Sequence, residues 1–120
     1  MKVINARAPE KKSFAGPLFT GPDVTLQTLL PESKDYDVNV VNFGPGVRNR
    51  LHVHDCEQVL IVTAGKGIVA TEKERRAVTV GDVVFFAAGE KHWHGAAEDS
   101  AFSHIYVYRR GSTCRIVEES

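Results

Sequence analysis

The sequence predicts an all-β domain, a sandwich or a barrel. From Val24 onward its apolar residues fall in short runs rich in Val, Ile, Phe and Tyr, types that suit a pleated, packed surface. Glycines such as Gly44, Gly65, Gly81 and Gly95 separate these runs, as turn residues separate the strands of a sandwich or barrel. No segment carries a sustained helical period of apolar residues. The 120 residues amount to one domain. A chain of that size buries roughly two thirds of its unfolded surface, enough for a core without staples.

Taken in order, residues 1–22 are polar and broken by Pro9, Gly16 and Pro17. They read as an N-terminal arm or edge strand outside the core, leaving 23–120 for the barrel. Strand-like runs follow at 38–41, 59–62, 68–70, 77–80, 83–86, 105–108 and 115–117. Residues 31–37 and 96–100 have room for one helical turn each at most. The charged run 72–76 lies between two strand-like pieces and reads as a solvated hairpin turn, since connections run over the surface. Phe43, Phe85, Phe86 and Phe102 read as core or interior lining.

Composition narrows the function classes. Lys plus Arg and Asp plus Glu are 15 each, so the formal net charge is zero. A nucleic-acid or anionic-membrane binder would show a basic excess, so neither partner is expected. No apolar run approaches the roughly 20 residues of a membrane span. The N-terminus lacks the apolar stretch of a secretory signal. Two cysteines, Cys56 and Cys114, do not make a disulfide framework. The expectation is a cytoplasmic protein with reduced thiols.

The five histidines are His52, His54, His92, His94 and His104. Four of them form two His-x-His pairs. Residues two apart on a strand share a face, so each pair is able to aim two imidazoles at one point. Imidazole is a common ligand for Zn, Cu, Fe and Ni. Trp93 alternates away from its neighbours and reads as packing. Tyr106 and Tyr108 share parity with His104, so they line the same side, and Tyr108 is placed to offer a hydroxyl to a substrate. Cys56 falls in the turn after the first pair. Arg48 and Arg50 precede that pair, as a solvated loop or as anion-holding groups at the mouth of a barrel.

Two stretches carry a family resemblance. Residues 46–65 read GVRNRLHVHDCEQVLIVTAG, and residues 81–96 read GDVVFFAAGEKHWHGA. They resemble the two cupin motifs. The first has Gly46, five residues, His52 and His54, and the count back from Gly65 selects Gln58 rather than Glu57, where the family usually has Glu. In the second, Gly81, Gly89 and His92 fall in register, while Ala87 replaces the usual proline and Ala96 a frequent asparagine. Ala87 is expected to loosen the turn that presents His92. The resemblance implies a cupin fold, the double-stranded β-helix or jelly-roll barrel. The phrases HDCEQVLIVTAGKG and GEKHWHGAA are similar to small single-domain cupins related to carboxymuconolactone-decarboxylase-type proteins, a group that includes metal-dependent hydroxynitrile lyases.

That resemblance implies one divalent metal ion (Mn, Fe, Ni or Zn) on His52, His54, Gln58 and His92, with His104 as the catalytic base. His94 is then a partner of the ligands or a residue of the rim. All four implied ligands are neutral, which lowers metal affinity, strengthens the Lewis acid and stabilises an oxidised metal less well. The expected function is non-redox lyase or isomerase chemistry on a small polar carbonyl or hydroxy compound. A metal-dependent dioxygenase and a non-catalytic small-ligand-binding cupin are the alternatives. Small barrels of this family tend to dimerise by packing sheets and exchanging N-terminal strands, so a homodimer is expected.

Overall fold

A computed structural model of the chain describes residues 1–118. The last two residues of the expected 23–120 barrel lie outside the described residues. Among these, all regular structure is strand: β1 (Lys12–Ser13), β2 (Val24–Thr28), β3 (Tyr36–Phe43), β4 (His52–His54), β5 (Gln58–Thr71), β6 (Arg75–Thr79), β7 (Val83–Phe86), β8 (His92–Ala96), β9 (Phe102–Arg109) and β10 (Cys114–Ile116). The all-β expectation holds. Neither 31–37 nor 96–100 forms a helical turn. No helix is long and apolar enough to cross a membrane.

All strand pairs are antiparallel. One wall runs β1-β2-β3-β9-β5-β7, and the other runs β6-β5-β8-β4-β10. Strand β5 belongs to both. Its first half pairs with β9 and β7, and its second half with β6 and β8. The sequence suggests two separate runs here, 59–62 and 68–70, because Ala64–Gly67 has no apolar side chain larger than alanine. The structure keeps one strand of 14 residues and bends it instead. Its register against β9 shifts between Val62 and Ala64. Gly65 takes a φ of +71°, and a Cβ there would collide with the Ala101 carbonyl. Only glycine fits that position.

Alternation then decides what faces the interior. On β9, Phe102, His104 and Tyr106 are buried while the residues between them are less so. Leu60 and Val62 of β5 and Val41 and Phe43 of β3 close around them. Phe86 joins this core, but Phe85 is 58% exposed, so its expected interior role is corrected. Neighbours on an edge strand point to opposite faces, and only one of the two phenylalanines finds cover.

The N-terminal segment departs furthest from expectation. It contains an edge strand, since β1 pairs with β2 of the same chain. It is not outside the core. Phe19 is 8% exposed and belongs to the central cluster, with Phe14 and Leu18 packed against it. The segment is held by main-chain bonds. Phe14 N–H donates to Val24 O at 3.0 Å, Thr20 N–H to Arg48 O at 2.9 Å, and Leu18 O accepts from Arg50 N–H at 2.7 Å.

Candidate metal centre

The two His-x-His pairs come together because β4 and β8 are neighbours. His52 and His92 are direct partners across that ladder. His52, His54 and His92 are buried, and one ligand nitrogen from each lies within 4.8 Å of the others, so the group is able to hold a metal ion. Phe86 stacks on His92 with ring centroids 3.8 Å apart, which leaves the imidazole little freedom to turn.

Hydrogen bonds assign the ring protons. His52 Nδ1–H donates to Arg50 O at 2.7 Å, and His92 Nδ1–H donates to Glu90 O at 2.8 Å. A neutral imidazole has one proton, so both Nε2 atoms carry bare lone pairs. The turn before His92 is also tied to the first motif, because Gly89 N–H donates to His54 O at 2.9 Å. Gly89 sits at a φ of +79°. The loosening expected from Ala87 is not found. Its N–H donates to the Glu90 carboxylate at 3.2 Å, and Glu90 N–H returns to Ala87 O at 3.2 Å. A proline at 87 would have no N–H to give.

Gln58, at the first residue of β5, supplies the most informative contact. Its Oε1 is 3.1 Å from His92 Nε2. Both atoms are acceptors, and no proton is available to lie between them. Protonating His92 is disfavoured, since burial and then the neighbouring His52 push its pKa down to about 3. Two facing lone pairs are stabilised by a cation; without one, the amide would have to turn over and donate. The donor set therefore fits a divalent ion. His54 adds a buried Nδ1 without a partner among the described residues.

Burial keeps the whole cluster neutral. It lowers the pKa of His52, and it lowers that of His54 to about 4 with help from His52. Neutral imidazole is the form that binds metal.

His94 and His104 form a second unit beside the first. His94 faces inward at 3% exposure, so the alternative of a rim position is corrected. Asn49, which the sequence reading passed over, organises it. Asn49 Oδ1 accepts from His94 backbone N–H at 2.8 Å, which fixes the amide orientation. Its Nδ2 then lies 3.2 Å from His94 Nε2 and 3.5 Å from Nδ1. Donation to the nearer nitrogen leaves the His94 proton on Nδ1, which donates to His104 Nε2 at 3.0 Å. His104 is fully buried, and burial lowers its pKa to about 4. Its Nδ1 has no partner among the described residues.

The remaining candidates divide. Tyr106 and Tyr108 line the pocket as parity requires. The Tyr106 hydroxyl is engaged by Asn39 Nδ2 at 2.6 Å and Asp37 Oδ1 at 3.2 Å. Burial raises the pKa of both tyrosines, that of Tyr106 to about 12. Arg48 and Arg50 pair with Glu118 at 3.0 and 3.4 Å, and Arg48 also lies 4.3 Å over the Trp93 ring. The two guanidiniums thus share one carboxylate. Cys56 is half-buried in its turn. Cys114 lies opposite His54 on β10 and reaches the pocket, a placement the sequence did not signal.

The imidazoles open into a pocket of about 90 Å³. Its apolar side comes from Phe14, Leu18, Phe19, Val41 and Phe43. The sequence signal for the first three was the string FAGPLF, which holds the only aromatic residues of the arm. Two larger depressions, of about 350 and 630 Å³, lie away from the imidazole cluster.

Comparison with known proteins places this geometry. The family described as "Cupin domain" matches residues 39–108, more than half of the chain. (R)-mandelonitrile lyase of Granulicella tundricola is 41% identical over 95 residues, covering 78% of this chain and 66% of that protein. The chain thus spans just under two thirds of that relative's length. A cupin-like protein from Thermotoga maritima superposes with a TM-score of 0.83 at 31% identity, covering 92% of this chain and 87% of that one. The polyketide cyclase RemF from Streptomyces resistomycificus superposes with a TM-score of 0.86 at 17% identity, covering 100% and 87%, a likeness of fold alone.

Proposed function

This chain belongs to the cupin domain family, and on that premise we propose that it is a mononuclear metal-dependent enzyme. It carries out non-redox lyase or isomerase chemistry on a small carbonyl or hydroxy compound. His52, His54, His92 and Gln58 hold one divalent ion, with Mn, Fe, Ni and Zn as candidates. The observation that carries the reading is the buried group of His52, His54 and His92, whose ligand nitrogens lie within 4.8 Å of one another, with Gln58 Oε1 3.1 Å from His92 Nε2. A relative that is an (R)-mandelonitrile lyase supports the lyase branch.

When bound, the ion supplies Lewis acidity to a hydroxyl or carbonyl oxygen. The chain supplies the rest. Hydrogen bonds to Arg50 O and Glu90 O orient two of the imidazoles. His104 is the base: its Nε2 carries no proton, and it takes the substrate hydroxyl proton there as the His94 Nδ1–H gives up its hydrogen bond to that lone pair. For a 2-hydroxynitrile, the C–C bond to the nitrile then breaks and its electron pair leaves on cyanide. The carbonyl forms as the O–H bond is lost, and the proton on His104 passes to the departing cyanide. Burial keeps His104 neutral and able to begin this cycle at pH 7.

Elemental analysis of untagged protein tests the reading. About one divalent metal per chain is expected in the wild type, and none in His92→Ala. No metal in the wild type after reloading would overturn it.

The same reading extends to setting. Two free thiols, Cys56 and Cys114, suit the cytoplasm. The exposed Val80, Val83 and Phe85, on and beside the edge strand β7, support a homodimer. Light scattering that shows only monomer at micromolar concentration would overturn that assembly.

A further inference from the structure

The pocket has a fixed apolar wall, and that wall sets the size of what binds. We infer that residues 14–19 make this a site for a small aliphatic substrate and exclude an aromatic ring. The inference rests on the metal-dependent reading above and names its substrate class.

The first argument is volume. The pocket offers about 90 Å³. An apolar cavity that takes up benzene measures about 150 Å³. A coordinating head with a methyl or ethyl substituent fits that space, whereas a phenyl substituent outgrows it and meets Phe14 and Leu18 at its open side.

The second argument is rigidity. The wall is a chain of aromatic contacts, Phe14 to Phe19 at 5.4 Å, Phe19 to Phe43 at 6.0 Å and Phe43 to His104 at 5.7 Å. Main-chain bonds tie both ends of the segment. Phe14 N–H is held by Val24 O, and Leu18 O is held by Arg50 N–H at 2.7 Å. Arg50 O in turn accepts the His52 proton, also at 2.7 Å. Moving the wall to admit a ring therefore disturbs a metal-binding imidazole. Phe19 is 8% exposed and belongs to the core, whereas Phe14 and Leu18 are half-buried at the pocket edge. Those two residues set the limit on size.

The third argument is polarity. Val41, Phe43, Phe14, Leu18 and Phe19 present no side-chain hydrogen-bonding group, so a polar group on a substituent resting against this wall would be left unpaired. The ligand is polar at the metal end and apolar at the other.

Lactate and mandelate test this, because they share a 2-hydroxycarboxylate head and differ as methyl against phenyl. Calorimetric titration of the Mn(II)-loaded wild type is expected to show lactate binding about tenfold or more tighter than mandelate. Phe14→Ala and Leu18→Ala, each first checked for native circular dichroism, are expected to cut that ratio to about threefold or reverse it. Mandelate binding the wild type as tightly as lactate would overturn the inference, as would an unchanged ratio in folded variants. If the protein takes up no Mn(II), the metal reading fails by itself. The size limit is then read on metal-free protein from the methyl resonances of Leu18 and Val41 under the same two titrants. A response to lactate alone supports the limit, and any other pattern overturns it.

Discussion

The imidazole floor of the pocket and its apolar wall meet at Phe43, whose ring is 5.7 Å from His104 and 6.0 Å from Phe19. The floor is made of buried polar groups, each oriented by a hydrogen bond whose loss would leave another group unpaired. The wall is made of side chains that need only volume and a dry neighbour. The difference teaches where function and stability separate in this barrel. Changes to the floor should alter chemistry first, and cost folding only where they leave a buried partner unpaired. Trimming the wall's side chains should cost stability and, where the main chain from Leu18 to Arg50 stays in place, leave metal binding intact.

The largest expected effect tests the floor. His104→Ala should retain its metal and stay folded, with a lowered melting temperature from the cavity and the unpaired His94 proton, while kcat on the protein's substrate falls about 10²- to 10⁴-fold, the usual worth of a positioned base. Equal losses of kcat and metal would show that floor and metal cannot be separated. Phe19→Ala tests the wall, and chemical denaturation should show a loss of about 3 kcal/mol or more, from lost burial plus the cavity left behind. Its metal content should stay near one per chain, and a parallel loss of metal would break the division drawn above.

The smallest effect concerns pH. His54 and His104 have folded pKa values near 4, and that of His92 is near 3, all below the ordinary value of 6.5. The unfolded chain therefore binds more protons than the folded one between those limits. Stability is complete above about pH 6.5 and is lost as pH falls toward 4. Metal-free protein should melt at least about 5 °C lower at pH 5 than at pH 7.5. An unchanged melting temperature would mean that the floor is not held neutral by burial.

Much of the floor was legible in the sequence, and the wall was not. The parity of His-x-His pairs on strands aims both rings to one side, and a strict count from Gly65 selects Gln58 over its neighbour Glu57. Strand alternation likewise groups His104, Tyr106 and Tyr108. These are local rules with a period of two. Phe14, Leu18 and Phe19 lie in a segment broken by Gly16 and Pro17, where no period exists, and their burial comes from contacts across the barrel. Asn49 is invisible for the same reason, since its role depends on the backbone of His94, 45 residues away. Phe85 shows the limit of parity itself, because alternation says that two neighbours face opposite ways but not which of them is covered.

Strand β5 carries a final consequence. Gln58 at its first residue touches His92 through its side chain, and Thr71 at its last residue is the ladder partner of that same His92. One strand thus leaves a histidine, rounds the barrel and returns to it. Its length is consequently a gauge of the barrel's circumference. A residue added or removed anywhere along it would throw one of the two meetings out of step and turn every side chain beyond that point to the opposite face. An inserted residue has no room within this strand, whereas the neighbouring turn at 72–74, held by bonds to Thr71 and a 4.0 Å ion pair from Glu72 to Lys91, has room to grow.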